Sequence, residues 1–245
     1  MAHPVLYLGD TALDRQASYL AAVMAHARIP FSYVPSHKPL PSSLLNRGWS
    51  CMILSDYPSR NLSKKQIRTM IAKVAAGTGL LMIGGWDSFT GSNGRYRETP
   101  LAKALPVIMG VKDDRVNTSN PCLIIKKNNH PVLKGRPLSS KLPCIAGFQR
   151  LKTKPGATEI LSIKVFEANH KGFSLKAEFP LLVLGQYGKG RTAAFASDAA
   201  PHWVGGFVDW GKRRIRARAR GGLEIEMGDC YARLFMNIIN FTRGI

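Results

Sequence analysis

The chain has 245 residues, with 35 lysines and arginines against 15 aspartates and glutamates, a formal charge of +20 and a pI near 10.2. Apolar residues make up 45% and the mean hydropathy is −0.08, which excludes a disordered chain and supplies material for a core. No apolar run approaches the roughly 20 residues of a bilayer-spanning helix, and MAHPVLYLGD lacks the basic region and long apolar stretch of a secretory signal. One domain over residues 1–245, a cytoplasmic location, no membrane association and no cofactor are therefore expected.

The opening alternates elements. Residues 5–8 read as a strand, followed by the turn Gly9-Asp10 and a helix with Leu13, Ala17, Leu20, Ala21 and Met24 on one face. Phe31–Val34 is the next strand, and the Pro- and Ser-rich PSHKPLPSSLL leads to a buried strand over 51–54. Ser63 and Gln66 have capping-box spacing, Ile67, Met70, Ile71 and Val74 form the apolar face of the helix that follows, and Gly77 is placed to end it before a strand over 80–83. This alternation predicts a mostly parallel sheet with helices on both faces.

The later half reads differently. Candidate strands at 123–126, 159–166, 181–187 and 191–196 have little helical sequence between them, and Gly188-Lys189-Gly190 suggests a hairpin joining the last two. A closing helix over Asp229–Thr242 puts Tyr231, Leu234, Phe235, Ile238 and Ile239 on one side.

In open α/β sheets, ligands bind beyond the carboxyl ends of parallel strands. That selects Gly9-Asp10, Ser55-Asp56-Tyr57, the segment GGWDSFTGSNGRYRETP over 84–100, and residues 197–210. Glycines such as Gly84 and Gly85 let backbone approach a ligand, and the segment also holds Trp86, Asp87, Ser88, Arg95 and Arg97, yet it is neither a Walker A motif nor GxGxxG. The last loop offers Asp198, His202, Trp203, Asp209 and Trp210. A carboxylate beside His202 would orient a general base, although Pro201 argues against the helical turn that would bring Asp198 to it. Asp198, His202 and Asp209 match no metal-ligand spacing, so no metal is expected.

Cys51, Cys122, Cys144 and Cys230 are widely separated, with no CxxC pair, which speaks against a disulfide framework or structural zinc. The densest basic stretch is KRRIRARARGG, where six of the nine residues from 212 to 220 are basic. It contains no aromatic residue to stack on a base, so it reads either as a polyanion-binding surface or as a solvated or oligomer-facing segment.

Taken in order, LYLGD, LSDYPSRNLS, GTGLLMIGGWDSFTGSNGRYRETPLAKALPV, DDRVN, HPVLKG, GKGRTAAFASDAAPHWVGGFVDWG and YARLFMNIINF are spread along nearly the whole chain. This combination resembles the putative glutamine amidotransferase family, a branch of the class I glutamine amidotransferase-like superfamily. The resemblance implies a flavodoxin-like, doubly wound fold with an added antiparallel strand region and a site at the strand ends. Class I amidotransferases use a Cys in a Gly-x-Cys-x-Gly elbow, a later His and a Glu two residues beyond it, the Cys forming a thioester with glutamine. The nearest counterpart of the elbow here is Ile83-Gly84-Gly85-Trp86-Asp87, without Cys, and His202 is followed at position 204 by Val204.

The expectation is an amidotransferase-like protein without glutaminase activity of its own, holding a small polar or anionic ligand between residues 84–97 and 198–210. Trp86, Trp203 and Trp210 would give apolar faces, Arg95, Arg97 and His202 charge, and Asp10, Asp56, Tyr57, Asp87 and Asp209 further polar contacts. Ser88, with His202 as base and Asp198 as its orienting group, would be a substitute nucleophile. The alternatives are a basic interaction or assembly protein engaging a polyanion or acidic partner, homo-oligomeric or not, and a glutaminase that works only beside a synthase partner.

Overall fold

A computed structural model describes residues 4–135 and 143–245. In chain order, strand β1 (Val5–Gly9), helix α1 (Ala17–His26), β2 (Phe31–Val34), short helix α2 (Ser42–Leu45), β3 (Cys51–Ser55), α3 (Lys64–Ala76) and β4 (Gly79–Ile83) form the crossover-connected half. A long loop leads to β5 (Val107–Ile108), β6 (Arg115–Lys126), β7 (Cys144–Gln149), β8 (Lys152–Thr153), β9 (Thr158–Asn169), β10 (Gly172–Tyr187) and β11 (Gly190–Phe195). Helix α4 (Pro201–Val204), the hairpin β12 (Arg214–Arg218) and β13 (Glu224–Gly228), and α5 (Asp229–Thr242) complete the chain.

Among the described residues, nine strands join one mixed sheet in the order β2-β1-β3-β4-β11-β10-β9-β6-β7. The first five are parallel neighbours, and every pairing from β11 outward through β10, β9, β6 and β7 is antiparallel. Strands β1, β3 and β4 are buried at every residue, which is why VLYLG, CMILS and GLLMI read as unbroken runs rather than alternating ones. Successive side chains still point to opposite faces. Val5, Tyr7, Ile53, Leu81 and Ile83 meet α1 and α5, whereas Leu6, Leu8, Met52, Leu54, Leu80 and Met82 meet Ile67, Met70 and Val74 of α3.

Local signals explain the element ends. Ser63 Oγ accepts from the Gln66 amide at 3.1 Å while Gln66 Oε1 accepts from the Ser63 amide at 2.8 Å, so both arms of the capping box are made. Gly77 ends α3 at φ +126°. Helix α1 begins at Ala17, four residues later than the apolar spacing suggested, and leaves Leu13 in the preceding turn. The Gly188-Lys189 turn joins β10 to β11 with Tyr187 opposite Gly190, as the hairpin reading required.

The antiparallel half is more extensive than its apolar pattern indicated. Strand β6 begins at Arg115 because RVN pairs with β7 despite its polar composition, with a register irregularity before Cys122, and β7 (CIAGFQ) was absent from the expected elements. Strand β10 reaches back to Gly172, where it and β9 form an arm on which Phe166 stacks with Phe173 at 5.5 Å. The basic segment forms β12, paired with the acidic EIEMG of β13. Among the described residues no helix is long and apolar enough to cross a membrane.

Candidate functional site

Strands β1, β3, β4 and β11 end at the same edge of the sheet as parallel neighbours, so the residues that follow them converge. Asp10 and Asp56 both adopt left-handed backbone, at φ 51° and 48°, a conformation that short polar side chains tolerate better than most. Thr11 and Phe89, in loops of the same edge, are also at positive φ, so unusual backbone collects at the strand ends.

Between these loops lies a cavity of about 500 Å³ lined by Asp10, Thr11, Gln16, Ser36, Asp56, Trp86, Asp87, Ser92, Asn93 and His202. Of the residues singled out from sequence, it brings together Asp10, Asp56, Trp86, Asp87 and His202. Asp198 is fully buried with its Oδ2 3.1 Å from His202 Nε2. The turn that Pro201 was expected to oppose exists: proline sits at the start of α4, where its missing amide costs nothing, and position 202 falls within the helix.

The electrostatics follow from burial. The Asp10 carboxyl is raised by desolvation, opposed by a hydrogen bond from Tyr7 Oη to Oδ2 at 2.6 Å. Asp56 is pushed well above the carboxylate range by burial and then by the charge of Asp10, and the Asp87 amide, donating to its Oδ1 at 2.7 Å, pulls the other way. Asp198 is pushed up by burial, then by Asp10 and Asp56. Burial holds His202 below the usual imidazole range, which favours the uncharged ring.

A clamp that the sequence did not reveal holds the glycine loop. Gln149 of β7, fully buried, donates from Nε2 to the Gly85 carbonyl at 2.5 Å and accepts at Oε1 from the Gly85 amide at 3.3 Å. Gly85 has φ +144°, and a Cβ there would lie 2.2 Å from Asp56 Oδ1. At Gly84 a Cβ would meet the Ala196 carbonyl at 2.7 Å. Both glycines thus permit close approach between the loop and its neighbours.

Several expected site residues lie elsewhere. Ser88 is 1% exposed, and its hydroxyl is spent, donating to the Ile83 carbonyl at 2.6 Å and accepting from the Asp56 amide at 3.0 Å, which corrects the substitute-nucleophile reading. Tyr57 is buried and donates to the Lys38 carbonyl. Arg95 pairs with Glu98 at 2.7 Å beside a different cavity, and Arg97 donates to the Met109 carbonyl. Trp203 packs against Gly147 with its Nε1 on Asn117, and Trp210 stacks on Phe207. Asp209 pairs with Arg214 at 2.6 Å, away from His202. The apolar face therefore comes from Trp86 alone among the expected tryptophans. That residue is 49% exposed, with the Arg115 guanidinium over its ring at 4.4 Å.

The thiols offer no elbow. Cys51 and Cys122 are buried and pushed by burial up to about 12 and about 11, and Cys144 is also raised by burial. No cysteine lines the cavity.

One buried carboxyl beside the loop lends itself to a pH measurement. Asp114 is 4% exposed and accepts from the Thr90 amide at 3.3 Å, and burial pushes it up to about 7. A carboxyl whose folded value exceeds its unfolded value binds more protons when folded, so stability falls as pH rises from about 4 to about 7. Thermal unfolding of Asp114→Asn is expected to show a flatter decline than the parent over that window. Parallel curves would mean that Asp114 ionises normally.

Fold and cavity together define a mixed α/β protein with a carboxylate-floored site at the carboxyl ends of its parallel strands. The chain belongs to the GATase1-like family, described as "Putative glutamine amidotransferase", which matches residues 7–216. A cytoplasmic protein from Salmonella typhimurium LT2 is 25% identical with TM-score 0.75, covering 98% of this chain and 99% of its own. A second cytoplasmic protein from Salmonella typhimurium is 26% identical with TM-score 0.75 and 98% coverage of both chains. A ThuA-like protein from Bacteroides uniformis, 13% identical with TM-score 0.60 over 98% of this chain and 91% of its own, shares the fold. No curated protein matches the sequence.

Proposed function

We propose that this chain is a cytoplasmic, single-domain protein of flavodoxin-like, doubly wound build that lacks glutaminase chemistry and binds a small hydroxylated ligand at its strand ends. The observation that carries the reading is the cavity itself: Asp10, Asp56 and Asp87 line it together with one exposed tryptophan, and no thiol does. The strand order β2-β1-β3-β4-β11, with helices on both faces, supports the doubly wound assignment.

Carboxyl groups accept hydrogen bonds from ligand hydroxyls, and an indole face packs on the C–H surface of a polyol or sugar ring. An anionic ligand fits less well. Arg95 and Arg97 are committed elsewhere, while Arg115, the guanidinium near Trp86, is paired with Asp113 at 2.6 Å. The polyanion reading loses support for a related reason. Arg213, Arg214 and Arg216 lie beside Asp229, Asp209 and Glu226, and Arg218 donates to the Gly222 carbonyl.

Purified protein is expected to release no ammonia from glutamine, alone or in the Trp86→Ala and His202→Ala variants. In saturation-transfer NMR against monosaccharides, polyols and dicarboxylates, the hydroxylated compounds should give signal, weakened about tenfold or more by Trp86→Ala with the fold intact. Equal signal in both proteins would remove the cavity assignment, and His202-dependent ammonia release would overturn the reading of the chemistry.

A further inference from the structure

We propose that Asp56, Asp198 and His202 form a binding site for one divalent first-row transition cation, which deepens the ligand-binding reading and rests on the same cavity. One donor atom from each of the three residues lies within 4.8 Å of the other two. Asp56 follows β3 whereas Asp198 and His202 follow β11, so the grouping exists because the sheet brings two strand ends together.

A second observation points independently to an occupant. Asp198 is fully buried; its Oδ1 accepts from the Ala200 amide at 2.9 Å, and its Oδ2 meets no hydrogen-bond donor in bonding geometry. His202 Nε2 stands 3.1 Å from that oxygen and is itself a ligand atom when the ring is neutral. Orphaned buried carboxylate oxygens are costly, and coordination is one of the few ways to satisfy one.

The donor set narrows the ion. Two carboxylates and an imidazole suit zinc or manganese, whereas calcium and magnesium prefer sites built wholly from oxygen. Three protein donors are also the number that leaves coordination positions open. Because Asp56 and His202 line the cavity, those positions face it, where ligand hydroxyls could complete the shell. Donors bonded to one ion at about 2.1 Å stand roughly 3–3.5 Å apart, and Asp198 Oδ2 and His202 Nε2 already stand 3.1 Å apart. Asp10, held by Tyr7, would contribute charge from outside the ligand shell.

The test uses untagged, chelator-stripped protein, titrated with Mn²⁺ by electron paramagnetic resonance and with Zn²⁺ by calorimetry. One ion per chain should bind, with affinity lowered about tenfold or more by Asp198→Asn and by His202→Gln. His170→Gln, which removes an exposed imidazole in the β9–β10 turn, should change nothing. Absence of binding, or binding undiminished in both site variants, overturns the inference. If the stripped protein binds polyols through Trp86 but takes up neither ion, the metal site is wrong and the ligand reading stands.

Discussion

Gly9→Ala is expected to lose about 4 kcal/mol of stability or more, enough to leave much of the protein unfolded. Gly9 stands opposite Ser55 in the β1–β3 ladder at φ +124°, and a Cβ there would lie 1.5 Å from the Ser55 carbonyl oxygen. That oxygen already accepts the Asp10 amide at 2.7 Å. Strand β1 cannot retreat, because β2 holds its other edge. Gly156→Ala provides the comparison: its φ is +78° and nothing lies within 4 Å of the added carbon, so it should cost only the left-handed backbone term of about 1–2 kcal/mol. Urea denaturation of both variants measures the difference. Equal losses would mean that the close approach of the two strands is not a constraint.

Asp198→Asn is expected to do the opposite to stability, raising it by about 1–2 kcal/mol in chelating buffer at pH 8, while binding at the cavity falls about tenfold or more. Asparagine keeps an acceptor for the Ala200 amide and presents an amide N–H donor to His202 Nε2 in place of the orphaned Oδ2. It also removes a buried carboxyl that stands in the field of Asp10 and Asp56. A site kept at the expense of stability behaves this way, whereas a structural carboxylate would not. Calorimetric unfolding alongside ligand titration decides between them, and a destabilised variant with unchanged binding would place Asp198 in the scaffold.

The parallel half of the fold was legible because each of its signals is local. Ser63 and Gln66 define one helix start, Gly77 its end, and the runs at β1, β3 and β4 report strands buried on two faces. The antiparallel half was harder to read, since β6 opens on RVN and β10 on GFSLKAEF, polar sequences held in place by their ladder partners. The site was legible at its strand ends, where Asp10, Asp56, Trp86, Asp87 and His202 share a cavity, but not in its composition by role. Arg95, Arg97, Trp203 and Asp209 neighbour those residues in sequence and turn to other partners, which spacing in irregular loops does not record. Gln149 offered no signal, because its amide reaches the glycine loop across 64 positions of chain.

The placement of β11 has a consequence for how this protein is made. Strand β4 ends at Ile83, yet the neighbour that covers its second edge runs over Gly190–Phe195. During synthesis, more than 100 further residues must leave the ribosome before that edge can be paired. Throughout that interval Leu80–Ile83, an apolar strand with free backbone groups, is a template for pairing with another nascent chain. The cavity is also incomplete until then, since His202, which lines it, emerges after β11, so a ligand there could not stabilise the early intermediate.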